Sequence, residues 1–329
     1  MKIWYDALTG KHLRYAVAIA ERLQKSKHEI ILTTRKHPDT LPLASFLKKK
    51  FIVIGRYDTR SLLTRTEEGA RRQLAFCKLF GKEPPDIAIS HGSVDLCRTA
   101  FGLGKPIITT IDTPYAEAVH RLTLPLSSHI IASAAIPKRI LDTYNVKAEI
   151  ARFAGVDEVA WIKNFKPTVK YDYGKPLIVV RQFEEKAVYS REVVNMLDLA
   201  KGLTRLGTVV FLSRYERKAV KGLIVPKEFI DSASLASQAD LIVGVGGTIT
   251  REAALQGTPA IIVEALPKQH VNDFLIERGF PIFKAKPSST LSLAKKLLGK
   301  KYNVKHLLDQ LENPLDIIEN VVNNTSKSY

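Results

Sequence analysis

The sequence predicts an α/β protein of two doubly wound halves, and three observations carry that prediction. Short, nearly unbroken apolar runs recur along the chain, and segments with helical spacing separate them. The alternation then stops over residues 163–176, a stretch rich in Lys, Pro, Tyr and Gly, and starts again. Strands that are apolar on both faces and alternate with helices belong to a parallel sheet covered on each side.

In the first half, Ile3-Trp4-Tyr5 reads as a strand ending at Asp6. Leu13, Val17, Ala20 and Leu23 then share one helical stripe. Glu29 to Thr33 and Phe51 to Ile54 are further strands, and the polar segment 59–80 is a long helix. Ile87-Ala88-Ile89, Pro106 to Thr109 and His129-Ile130-Ile131 are strands, with helices near 93–101 and 115–125 between them. The second half opens on Leu177-Ile178-Val179-Val180. Strands follow at Thr208 to Leu212, Gly222 to Val225, Asp240 to Val243, Ala260 to Val263 and Pro281 to Phe283. Helices are expected over 187–202, 248–256, 270–278, 288–298 and 303–321. The domains are then residues 1–162, a linker at 163–176, residues 177–310, and a terminal helix end with its tail at 311–329. Each half has an ordinary domain size, and two such halves are expected to face each other across a cleft.

Composition narrows the function classes. The 329 residues hold two cysteines, Cys77 and Cys97, which excludes a disulfide scaffold and any Cys-rich metal site. No run of 18 uncharged apolar residues occurs, and MKIWYDALTG has no signal-peptide pattern, so a cytoplasmic protein is expected. The net charge is +17, with +10 on residues 1–164 and +7 on 165–329. A dispersed excess of this kind suits an anionic ligand, a nucleic acid or an anionic membrane surface, and equally a basic protein with no such partner. Short zinc-finger, RNP and GXXG signatures are absent, which makes nucleic acid the weaker expectation.

In open α/β sheets ligands sit beyond the carboxyl ends of the strands, so the loops there hold the candidates. The sharpest is DLIVGVGGTITREAALQGTPAIIVE at 240–264. A strand runs into Gly244, Gly246 and Gly247, with Thr248 placed as a cap before Arg251 and Glu252. Glycines here permit a tight turn and close ligand approach, and the exposed N–H groups at a helix start favour a phosphate. The Glu252 carboxylate suits a pair of ribose hydroxyls. This is neither a Walker A loop nor a dinucleotide fingerprint. Gln269 and Asn272, three apart at a later helix start, are suited to sugar hydroxyls.

In the first half, Gly10 is read as the turn before Lys11 and His12, which stand at a helix start. His12 is a candidate base or hydrogen-bonding group. His91 in Ser90-His91-Gly92-Ser93, Asp112 in Thr110-Ile111-Asp112-Thr113-Pro114, and Glu184 and Glu185 in Arg181-Gln182-Phe183-Glu184-Glu185 follow other strands. Their spacings fix no acid/base pair. No metal signature appears, so neither a metal nor a tightly bound cofactor is expected.

These features, in order, resemble a largely archaeal domain-of-unknown-function family related to GT-B glycosyltransferases. The stretches that carry the likeness are DALTGKH at 6–12, FGLGKPIITTIDTPYA at 101–116, HRLTLPL at 120–126, GVDEVAWIKNFKP at 155–167 and GVGGTITREAALQGTPAI at 244–261. The layout is also similar to the N-acetylglucosaminyltransferase of peptidoglycan precursors and to non-hydrolysing UDP-N-acetylglucosamine 2-epimerase. The transferase likeness implies that Gly246, Gly247 and Thr248 face a diphosphate and Glu252 a ribose. It implies that Gln269 and Asn272 face the donor sugar and His12 the acceptor. The epimerase likeness implies an active site at His91-Gly92 and Asp112.

The leading expectation is an inverting glycosyltransferase with a nucleotide-diphosphate sugar donor, a UDP-sugar by the likeness to these relatives. Lys11 or Arg251 would assist the leaving diphosphate, and His12 or Asp112 would deprotonate the acceptor. A nucleotide-sugar epimerase or hydrolase is the alternative, with Asp112, Glu184 and Glu185 as its acids. A non-catalytic nucleic-acid or protein-binding module comes third, supported only by charge. Helix 59–80 mixes Arg60, Arg65, Arg71, Arg72 and Lys78 with Leu62, Leu63, Leu74, Phe76, Leu79 and Phe80. That mixture suits peripheral contact with an anionic membrane and, with it, a lipid-linked acceptor; packing of its apolar face on the sheet is the simpler reading.

Overall fold

The computed structural model describes residues 1–38, 40–58, 60–144, 146–182, 194–213, 218–266 and 268–325. The chain divides into two compact units, Met1–Trp161 with Glu312–Tyr329, and Ile162–Leu311.

The first unit runs β1 (Lys2–Ala7), α1 (Gly10–Lys25), β2 (Glu29–Lys36), α2 (Thr40–Phe46), β3 (Ile52–Arg56), α3 (Leu62–Phe80), β4 (Ile87–Ser90) and α4 (Val94–Gly102). It continues with β5 (Ile107–Ile111), α5 (Glu117–Thr123), β6 (His129–Ser133), α6 (Lys138–Asp142), β7 (Glu149–Phe153) and α7 (Val159–Ile162), whose last residue opens the second unit. The seven strands form one sheet in the order β3-β2-β1-β4-β5-β6-β7, all pairs parallel. The order reverses between β1 and β4, and such a switch point is where an α/β sheet opens a crevice for a ligand. Register pairs Asp6 with Ser90 and Ser90 with Thr109, so β1, β4 and β5 end within two residues of one another.

The second unit runs β8 (Leu177–Arg181), α8 (Met196–Leu203), β9 (Thr208–Leu212), α9 (Ser232–Gln238), β10 (Leu241–Gly244), α10 (Thr248–Leu255), β11 (Ala260–Val263), α11 (His270–Glu277), β12 (Ile282–Ala285), α12 (Thr290–Leu297) and α13 (Lys305–Asp309). Its five parallel strands lie in the order β12-β11-β10-β8-β9. The switch point here falls between β8 and β10. Ile178 and Val180 belong to one apolar cluster, and Leu177 and Val179 to another. Successive residues of one strand thus fill opposite cores, which is why these strands read as continuous apolar runs. Two Rossmann-like units of this kind make a GT-B-type architecture.

A last helix, α14 (Pro314–Thr325), returns to the first unit. Arg22 of α1 donates to Asp316 (2.7 Å) and Glu319 (2.6 Å) there.

Several elements differ from expectation. The stretch Gly222 to Val225 is not a sheet strand; it meets β9 only through an isolated bridge between Ile224 and Val210. Helix α3 starts at Leu62, where the Ser61 and Thr64 side chains reciprocally cap it. Gly10 is not a left-handed turn residue: α1 begins on it, and the Thr9 side chain accepts from the His12 N–H. Strand β7 and helices α2, α6, α7 and α9 were not foreseen, and the helix expected over 303–321 is two, α13 and α14.

One buried group of this unit carries a pH dependence. His120 of α5 is buried, and burial pushes its pKa down to about 4. The unfolded chain takes up that proton near pH 6.5. Stability is therefore full above pH 6.5 and falls as the pH drops toward 4, by about 3 kcal/mol. Urea unfolding of the wild type and of His120→Gln across this window checks it; the variant's contribution is flat.

Candidate active site

The carboxyl ends of β1, β4, β5 and β7 bring one buried cluster together. Lys11 stands in the first turn of α1 and is bonded by Asp112, which follows β5. Its Nζ also donates to Asp157 Oδ2 at 2.8 Å and lies 3.9 Å from Glu158. His91, just after β4, directs Nε2 at Asp112 (3.4 Å) and Asp157 (3.8 Å). Its Nδ1 lies 2.6 Å from Thr110 Oγ1, which itself donates to the Ser90 carbonyl. Both ring nitrogens of His91 thus face oxygen atoms, Nδ1 that of Thr110 and Nε2 those of the carboxylates. His12 stacks edge-on against His91 with ring centroids 4.7 Å apart. Burial, then the neighbouring His91 and Lys11, hold His12 well below its ordinary pKa, so it is neutral at pH 7. Its Nδ1 is buried without a hydrogen-bond partner among the described residues.

A cation in the first turn of a helix opposes the helix dipole. Lys11 is held in that place by the surrounding carboxylates, which would repel one another without it. His91, Asp112 and Asp157 offer three ligand atoms within 4.8 Å of one another, close enough to share a divalent cation. A metal was not expected from the sequence. In this arrangement the Lys11 ammonium already bonds both Asp112 and Asp157, so a cation entering there competes with it.

Behind the cluster lies a second network. Asp6, fully buried, accepts from Thr33 Oγ1 (2.7 Å), Ser93 Oγ (2.6 Å) and Arg72 Nη2 (2.6 Å). Arg72 also donates to Asp95 (2.7 Å) and to the Ile54 carbonyl (2.6 Å). Asp6 precedes the loop to Lys11, and Ser93 caps α4 two residues after His91, so this network sets the positions of both.

In the second unit the glycine-rich turn follows β10. Gly246 has φ +92°, and a Cβ there would lie 2.0 Å from Gln269 Oε1 and 2.7 Å from Asn272 Nδ2. Gln269 donates to the Val245 carbonyl (2.8 Å) and Asn272 to that of Gly246 (3.3 Å). The two amides thus brace the turn. Asn272 is fully buried, and its Oδ1 has no hydrogen-bond partner among the described residues. The cap of α10 is Gly247, not Thr248, and it carries no side chain to bond the first N–H groups of the helix. Among the described residues, nothing lies within 4 Å of a Cβ built on Gly247. Arg251 and Glu252 are buried, and Glu252 accepts from Ser232 Oγ at 2.7 Å.

Gly246→Ala and Gly247→Ala therefore separate two effects. The first places a side chain at positive φ against the bracing amides and lowers stability by about 1–3 kcal/mol. The second removes a favourable cap residue, lowers stability by under about 1 kcal/mol, and fills the open approach to the turn. Denaturant unfolding and nucleotide titration of both variants check this.

The structure thus gathers Lys11, His12, His91 and Asp112 in one unit, with Gly10 opening the helix that carries Lys11. It gathers Gly246, Gly247, Thr248, Gln269 and Asn272 in the other. Glu184 and Glu185 lie outside the described residues. Asp157 and Glu158 were missed as site residues.

A family model described as "Protein of unknown function (DUF354)" matches residues 1–327. The chain belongs to the DUF354 family. An uncharacterised protein of Methanocaldococcus jannaschii is 28% identical over 335 residues, covering 97% of this chain and 96% of that protein. Among solved structures, the DUF354 chain is similar in fold to the M. jannaschii UDP-GlcNAc 2-epimerase in complex with UDP-GlcNAc and UDP. The TM-score is 0.74 at 16% identity, over 99% of this chain and 100% of that one. The Neisseria meningitidis UDP-GlcNAc 2-epimerase bound to UDP-GlcNAc gives 0.66 at 15% identity, with 100% of both chains covered. The glycotransferase of kitacinnamycin gives 0.61 at 11% identity, over 98% of each.

Proposed function

We propose that this protein binds a nucleoside-diphosphate sugar and carries out epimerase-type acid–base chemistry on it. The observation that carries the reading is the buried Lys11–Asp112–Asp157–His91 cluster at the switch point of a fold shared with UDP-GlcNAc 2-epimerases. Glycosyl transfer, which the sequence favours first, stands second. The glycotransferase of kitacinnamycin has this fold at a TM-score of 0.61, below the 0.74 of the M. jannaschii epimerase.

The first N–H groups of α10 receive the diphosphate, and Gly247 leaves room for it. Glu252 takes the ribose hydroxyls by sharing its carboxylate with Ser232. Asn272 Oδ1 accepts from a sugar hydroxyl. Asp112 removes the proton from the sugar carbon beside the anomeric centre. The C–H electron pair forms a double bond, the anomeric C–O bond breaks, and the nucleoside diphosphate leaves with that electron pair. A solvent proton returns to the other face, the proton held by Asp112 passes out through His91, 3.4 Å away, and re-addition of the diphosphate completes the inversion.

The test is incubation with UDP-N-acetylglucosamine in D2O, followed by proton NMR. Deuterium at the sugar carbon adjacent to the anomeric one, with a second epimer accumulating, is the expected result. UDP release only when an acceptor is added would move the function to transfer. Unchanged nucleotide affinity after chelation is also expected, because Lys11 supplies the positive charge between the carboxylates.

A further inference from the structure

Six of the eleven large apolar side chains exposed among the described residues fall between 52 and 79: Ile52, Val53, Leu62, Leu63, Leu74 and Leu79. Such a concentration marks an interaction surface. Helix α3 buries Glu68, Arg72, Phe76 and Phe80 on one stripe. At ~100° per residue, Leu63, Ala70, Leu74 and Cys77 lie within roughly 60° of one another on the opposite side. All four are exposed, with Leu63 at 69% and Leu74 at 59%. A helix lying on a lipid surface presents a broad apolar face, whereas this seam is narrow and has the 7-4-3 spacing of helix–helix contact. Nearby, β3 is an edge strand with Ile52 and Val53 exposed, and an open apolar edge is itself prone to pairing.

We propose that α3 is the contact between two copies of this chain, packed antiparallel about a twofold axis at Ala70. The small Ala70 side chain lets the helices approach at the centre. Leu63 then meets Cys77 of the second copy, seven positions to either side of the axis. The charges decide the occupant. Glu67 and Arg71 lie on one flank of the seam and pair within the helix at 3.9 Å. The antiparallel twofold places Glu67 of each copy within one turn of Arg71 of the other, twice over, so the flank is complementary to itself.

Sedimentation equilibrium of the full chain gives twice the 36.7 kDa chain mass. Leu74→Glu gives the monomer mass with an unchanged circular dichroism spectrum, because the position is exposed. Glu67→Arg and Arg71→Glu each shift dissociation to higher protein concentration, on the order of tenfold; combined, they restore the wild-type midpoint. A monomeric wild type, or a dimer indifferent to Leu74→Glu, overturns the proposal. Monomeric protein that co-sediments with phosphatidylserine vesicles but not with phosphatidylcholine overturns it in favour of a lipid surface.

Discussion

Replacing Arg72 by methionine lowers the unfolding free energy by about 3–5 kcal/mol, the effect of leaving buried carboxylates without their cation. Arg72 is 1% exposed and spans Asp6, which is fully buried, and Asp95. Burial already raises the Asp95 pKa even with Arg72 beside it. Methionine keeps much of the volume and the contact with Phe76 but offers no donor to the Ile54 carbonyl. Denaturant unfolding at pH 7 reads the loss. The Asp6→Asn, Arg72→Met double variant recovers part of it, since one of the stranded charges is then gone.

Asp112→Asn lowers the rate of deuterium incorporation by roughly 10²–10⁴-fold, the range for removing a positioned general base. Asparagine preserves the shape and the contact with Lys11 but cannot take a proton. Nucleotide affinity, measured by calorimetry, stays near that of the wild type, because the diphosphate contacts come from the turn after β10. Full exchange by this variant would pass the role of base to Asp157 or to His12.

The layered alternation was legible because its strongest strands are apolar on both faces. Leu177–Val180 has no polar residue, and the two threonines of Ile107–Ile111 are buried and hydrogen-bonded rather than turned to water. Strand β7 escaped because Arg152 interrupts its run EIARF and points its guanidinium at the Ala134 and Ile136 carbonyls. Helix α9, SASLASQ, has small residues and no apolar stripe to count. The missed strand accounts for the missed acids: Asp157 and Glu158 follow β7, so the rule of searching strand ends never reached them. Lys11, His91 and Asp112 follow strands that could be read and were found. What no spacing revealed was the convergence, since the bonds from Lys11 to Asp112 and to Asp157 span 101 and 146 positions of sequence and depend on strand order.

The return of α14 also sets an order of assembly. Its partners on α1, β6 and β7 are made early, yet the helix follows all of Ile162–Leu311. At ribosomal speeds of about 5–20 residues per second, the first unit waits on the order of ten seconds for its last piece. During that interval the second unit can emerge and fold as an uninterrupted segment. The later-made unit is therefore expected to acquire its protease resistance before the earlier-made one, whose fold is complete only once α14 has followed.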